Sequence, residues 1–145
     1  MRIEAVAKVD TYMRPLRFST LWLTFGWLLV ALLIYFSVIA SPPEVHHFSG
    51  GDKLTHLLAY AVVTLWFGLI FLPGRTYLIL GFGFVMMGLT LEIIQGAISY
   101  RSMEVLDMLS NTLGVLLGGL LAKTRLSALL VNVENKLTKQ PDIGE

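Results

Sequence analysis

Phe18–Ala40 reads FSTLWLTFGWLLVALLIYFSVIA, 23 residues without one Asp, Glu, Lys or Arg. A helix rises about 1.5 Å per residue, so this run is long enough to cross the roughly 30 Å hydrocarbon core of a bilayer. Three further runs follow it. Leu54–Leu72 carries no charge in 19 residues, Thr76–Ile98 carries one (Glu92) in 23, and Val105–Ala122 carries one (Asp107) in 18. All five prolines (Pro15, Pro42, Pro43, Pro73 and Pro141) fall outside these runs, as helix interiors require. The loops between them are short, which makes consecutive helices antiparallel neighbours. The sequence therefore predicts an all-α integral membrane protein, an up-down four-helix bundle with spans of about 18–40, 54–72, 76–98 and 105–122. An N-tail of 1–17 precedes the bundle and a C-tail of 123–145 follows it. The first span is too long for the 7–15-residue apolar segment of a cleaved signal peptide and reads as a retained anchor.

Composition supports this class. Of 145 residues, 55% are hydrophobic and 14% charged, against about 25% charged in soluble domains. Such a chain is too apolar to be disordered. Without cysteine it has no disulfide framework and no thiolate metal site. A net charge of +1 gives no electrostatic footprint for nucleic acid.

Charge placement predicts orientation. The N-tail, the second loop and the C-tail hold Arg2, Lys8, Arg14, Arg17, Arg75, Lys123, Arg125, Lys136 and Lys139. The first and third loops hold only Lys53 and Arg101. The positive-inside rule then puts both termini in the cytoplasm. Trp22, Tyr35, Tyr77 and Tyr100 lie near span ends, where aromatic anchors or packed aromatics are both expected. In the C-tail, Leu126, Leu129, Leu130, Val133 and Leu137 recur at helical spacing between charges. That pattern fits either an amphipathic helix at the inner interface or a frayed tail.

With this topology, the polar residues of three helices converge at the outer side. Asp52, His56 and Tyr60 share one face of the second helix at four-residue spacing. Lys53 lies at the same mouth, and Glu92 and Gln95 lie near the outer end of the third helix. Arg101 is in the outer loop, and Asp107 and Asn111 open the fourth helix. Gly114 and Gly118 continue that stripe and allow close helix approach. An acid at the bilayer centre costs about 2.5–3.5 kcal/mol on insertion scales, so such groups face a bundle interior and find partners. For Glu92 the expected partners are Arg101 and His56.

Asp52-Lys53-x-x-His56, Glu92-x-x-Gln95, Arg101 and Asp107-x-x-x-Asn111-x-x-Gly114, in this order, resemble the VanZ-like family. These are small bacterial membrane proteins named for low-level resistance to the glycopeptide teicoplanin. The similarity covers about residues 50–120. Where family members often carry a proline before the arginine, this chain has Ala97-Ile98-Ser99-Tyr100. The resemblance implies membrane residence and a link to the cell envelope and glycopeptide resistance. It implies no particular mechanism.

Four functions are compatible with these residues. In the first, Asp52, Lys53, His56, Glu92, Gln95, Arg101, Asp107 and Asn111 bind an envelope amphiphile, a membrane lipid or a glycopeptide-related ligand. Arg101 and Lys53 would hold its phosphate or carboxylate, and His56, Gln95 and Asn111 its sugar or peptide. In the second, Glu92 and Asp107 form a paired-carboxylate hydrolase or transferase with His56 as proton shuttle. No nucleophile is evident, since Ser110 lacks a base at helical spacing, and enzyme activity is therefore the less favoured reading. The third is a small proton-coupled transporter, and the fourth a structural accessory subunit, acting as a homo-oligomer or with a membrane-protein partner. No cofactor or metal is expected, because the spans hold a single histidine and His46-His47 reads as solvated loop.

Overall fold

The computed structural model describes residues 12–39, 51–97 and 104–138. His46, His47, Tyr100 and Arg101 lie outside them. Five α-helices make up the described chain: α1 (Ser19–Val38), α2 (Gly51–Ile70), α3 (Arg75–Ala97), α4 (Val105–Leu121) and α5 (Leu129–Thr138). A single 3₁₀ turn, Arg125–Ala128, joins α4 to α5. The described residues contain no β-strand beyond one isolated bridge, Met13 to Phe71.

Three helices, α1, α2 and α3, are long and apolar enough to cross a membrane. A fourth span is present if α4 is taken with the segment Arg125–Thr138, from which it is bent by 69°. The observed helices match the expected runs with small shifts. The largest is in α2, which begins three residues earlier than its uncharged run. Asp52 in the first turn explains the shift, because a carboxylate there faces the positive end of the helix dipole. Thr55 Oγ1 also donates to the Gly51 carbonyl at 2.8 Å.

α2 is the central element. Tyr60, Val63 and Phe67 of α2 pack with Val30 and Leu33 of α1, Phe84 and Leu91 of α3, and Val115 of α4. The most extensive helix contact is between α2 and α4. It is close because Gly114 and Gly118 let the α4 backbone sit against the carbonyls of Leu57 and Ala61. The sequence expectation for both glycines is met. The outer faces of α1 and α3 present Leu21, Trp27, Leu28, Leu78, Ile79 and Phe82 to the surroundings. Apolar exposure on that scale suits lipid rather than water.

At the other end of α2, the described parts of both tails, 12–17 and 123–138, are docked. Arg14 N donates to the Ile70 carbonyl at 2.8 Å, and Leu72 N donates to the Tyr12 carbonyl at 3.0 Å. The Arg14 guanidinium reaches the Gly68 carbonyl at 3.5 Å. A cation among the last carbonyls of a helix complements its dipole. From the C-tail, Leu130 is buried against Leu69 and Ile70. Glu134 accepts hydrogen bonds from Arg17 N (2.6 Å), Phe18 N (2.9 Å) and Trp22 Nε1 (2.7 Å). The frayed-tail alternative is thereby corrected for residues up to Thr138. Trp22 is likewise more than an anchor: its ring packs edge-on to Trp66 at 6.0 Å, and its carbonyl accepts from Trp66 Nε1 at 3.0 Å. Tyr77 donates to the Thr64 carbonyl at 3.1 Å and is half-buried against the core. Tyr35 is exposed, as an anchor should be.

Candidate functional site

The start of α2, the end of α3 and the start of α4 meet at one end of the molecule. Lys53 Nζ is the hub. It lies 2.8 Å from Asp52 Oδ2, 2.8 Å from Glu104 Oε2 and 3.5 Å from Asp107 Oδ1. Glu104 is the residue just before α4, and Asp107 stands in the first turn of that helix. Two acids at the N-terminus of α4 thus serve its dipole and receive the α2 lysine. The carboxylate oxygens of Asp52, Glu104 and Asp107 lie within 4.8 Å of one another, a spacing that would suit a cation. The lysine ammonium already supplies that charge.

One turn along α2, His56 Nδ1 is 3.1 Å from Asn111 Oδ1, so the ring donates there in the tautomer that protonates Nδ1. From α3, Glu92 Oε1 accepts from the Glu104 backbone N–H at 2.7 Å. Gln95 Nε2 donates to the Ser37 carbonyl of α1 at 2.6 Å, tying the end of α1 to the same region. Glu92, Gln95, Asp107 and Asn111 are all buried, with Glu92 only 1% exposed.

The convergence expected from sequence is therefore seen for Lys53, Asp52, His56, Asp107 and Asn111 between α2 and α4, with Glu92 joined through Glu104. Two expected pairings are corrected. His56 hydrogen-bonds Asn111 rather than Glu92, because it and Asn111 face each other across the close α2–α4 seam. Lys53 is not a free anion holder, because its ammonium donates to Asp52 and Glu104 and is ion-paired with Asp107. Arg101 lies outside the described residues. Ser110 Oγ donates to the Leu106 carbonyl, the back-bonding of an ordinary helical serine, so no activated hydroxyl arises there.

Glu104, the residue just ahead of the fourth uncharged run, was not singled out from the sequence. Its spacing from Asp107, three residues at a helix start, is the signal that marks it. Tyr60 also belongs with the cluster. It is 1% exposed and packs against the Gly88 and Gly114 backbone.

Several polar atoms here have no hydrogen-bond partner among the described residues: Glu92 Oε2, Asp107 Oδ1 and the Tyr60 hydroxyl, all buried. Asp107 Oδ1 has its ion pair with Lys53, whereas Glu92 Oε2 has none among the described residues. Leaving a buried acceptor unsatisfied costs about 1–3 kcal/mol, more for a charged group. Four carboxylates (Asp52, Glu92, Glu104 and Asp107) stand against one lysine, so the end as described has an acidic excess.

Replacing Lys53 by Met removes the hub and leaves three carboxylates facing one another. The expected result is a lower melting temperature in detergent, partly restored by adding Glu104→Gln. Thermal unfolding of wild type, single and double variants reads this directly.

No family model matches the chain, and neither a curated protein nor a solved structure shows significant similarity to it.

Proposed function

We propose that the chain is a VanZ-like four-span bundle of a bacterial cytoplasmic membrane, with both termini in the cytoplasm. Its carboxylate end, in the outer leaflet, binds a cell-envelope amphiphile or glycopeptide-related ligand and links the protein to glycopeptide resistance. The observation that carries this reading is the buried Glu92 Oε2, which has no hydrogen-bond partner among the described residues. A group that brings N–H or O–H donors would satisfy acceptors that the described residues leave open. The acidic excess refines the ligand chemistry. An ammonium- or hydroxyl-bearing head fits better than the phosphate or carboxylate considered from sequence, because Lys53 is already engaged. Its apolar part would lie along the exposed lipid-facing sides of α1 and α3.

The test uses the full chain in neutral nanodiscs, titrated with teicoplanin, with a long-chain alkylamine and with the fatty acid of equal length. The amine is expected to bind saturably and the fatty acid weakly. Glu92→Gln and Asp107→Asn should each weaken amine binding by about tenfold, the scale of one charge-assisted hydrogen bond. Unchanged affinity in both variants would remove the proposal, and absence of teicoplanin binding would remove its glycopeptide branch.

A second reading is architectural. The Lys53 hub and the His56–Asn111 bond both join α2 to the start of α4. If the same two variants lower the melting temperature and leave amine binding intact, the cluster is a lock. A hydrolase or a proton-coupled transporter lacks comparable support, since no activated nucleophile and no polar path along the helices occurs among the described residues.

A further inference from the structure

At the end of the molecule opposite the carboxylate cluster, the turn after α4 and the outer side of α5 enclose an open groove of about 590 Å³. Thr124, Arg125 and Lys136 give it a polar rim, and Leu126, Leu129 and Val133 give it an apolar floor. We propose that this groove binds one anionic phospholipid, with the phosphate held by Arg125 and Lys136 and the first acyl carbons lying on the leucines.

Three observations lead there. First, the groove face of α5 is the one left without a neighbour among the described residues. Leu130 and Glu134 turn the opposite face into the docked tail end, while Leu126 and Leu129 stay exposed. Second, the 69° bend sets the Arg125–Thr138 segment across the direction of α4, so it leaves the line of that span. A helix lying across the end of a span, with leucines beside cations, has the geometry of an interfacial amphipathic helix. Third, neither Arg125 nor Lys136 has an ion-pair partner among the described residues, whereas Lys53 at the other end has three. Two unpaired cations beside apolar surface at the membrane boundary match one ligand chemistry, a phosphate monoanion carrying a hydrocarbon tail. A groove of this volume is of the size that holds a small ligand or headgroup. Arginine adds a bidentate fork for phosphate oxygens, and lysine adds a point charge.

The proposal needs only that the protein resides in a membrane. It is independent of the ligand at the carboxylate end.

The test purifies the full chain from an equal mixture of phosphatidylglycerol and phosphatidylcholine and counts retained lipids by native mass spectrometry. Wild type should keep one phosphatidylglycerol in clear preference to phosphatidylcholine. Each basic residue near a charged surface contributes roughly fivefold in affinity, so the double variant Arg125→Gln/Lys136→Gln should reduce retention by at least about tenfold. Both side chains lie on the rim of the groove, and an unchanged melting temperature would certify the fold. Lys123→Gln, an exposed cation outside the groove, should stay within about twofold of wild type, and Lys136→Arg should preserve binding. The proposal is overturned if wild type shows no preference, if the double variant retains lipid normally, or if Lys123→Gln loses as much as the double variant. Complete displacement by millimolar inorganic phosphate would make this a free-anion site and also overturn the lipid assignment.

Discussion

Gly114→Val and Gly118→Val are expected to prevent the folded state from accumulating. A Cβ at position 114 would run into the Leu57 carbonyl oxygen and meet Tyr60 Cβ at 2.9 Å. At position 118 it would run into the Ala61 carbonyl oxygen and come within 2.9 Å of Leu65 N. These obstacles are mainly the backbone of α2, which cannot rotate away as a flexible side chain can. The helices would have to separate. Overpacking a core usually costs about 1–3 kcal/mol, and a forced separation along the most extensive interface lies at or above the top of that range. It would also pull His56 from Asn111 and Lys53 from Asp107, so the carboxylate end should lose its geometry together with the fold. Gly119→Ala is the matched control, since nothing lies within 4 Å of the added methyl. Replacing this glycine in the last turn of α4 should be neutral or stabilise the helix by up to about 0.5 kcal/mol. Expression level, monodispersity and melting temperature of the three variants test this contrast. Normal melting of Gly114→Val would show that the α2–α4 seam is looser than described.

The same glycines show what could be read in the sequence. Uncharged runs located the helices, because charge is excluded from a bilayer core whatever the packing around it. Small residues at four-residue spacing marked the side of α4 that approaches a neighbour. Depth along each span then sorted Asp52, Lys53, His56, Asp107 and Asn111 to a common end. Spacing along a single helix could not give partners between helices. His56 and Glu92 are both polar groups near the same end, yet the rotation of α2 turns His56 to Asn111 on α4. Lys53 likewise looked available to a ligand because nothing in the sequence says that Glu104, 51 residues away, reaches its ammonium. Glu134 was passed over for a different reason. It lies four residues after Leu130 and three before Leu137, inside the apolar stripe of the C-tail. An acid in that register signals a buried partner, but that partner is the start of α1, more than a hundred residues earlier.

That long-range contact carries the second large expected effect. Glu134→Ala should release the C-tail and unravel the start of α1. The first turn of a helix leaves its N–H groups without intrahelical partners. Here the donors of Arg17 and Phe18, just ahead of α1, and the Trp22 indole all converge on one carboxylate from α5. Hydrogen bonds to a charged acceptor contribute about 1.5–3 kcal/mol each, without simple additivity. Losing three partners at a buried site should cost on the order of 3 kcal/mol or more. Glu134→Gln keeps the shape without the charge and should fall between alanine and wild type. The pH dependence has a definite sign. Burial pushes the Glu134 carboxyl upward, but the Phe18 and Arg17 N–H groups and the Trp22 indole outweigh it, holding the group below its ordinary 4.5. A depressed folded-state value means the latch contributes fully above the unfolded value and is lost as pH falls through the folded one. Wild type should therefore melt alike between about pH 6 and 8 and weaken only in strong acid, below the usual glutamate range. The Gln variant should lack that acid-side decline at this site. Amide exchange at Arg17 and Phe18 is the local readout: protected in wild type at neutral pH, fast in Glu134→Ala, and fast in wild type once the carboxylate is protonated. Equal protection in the alanine variant would mean that the tail helix rests on α1 without holding it.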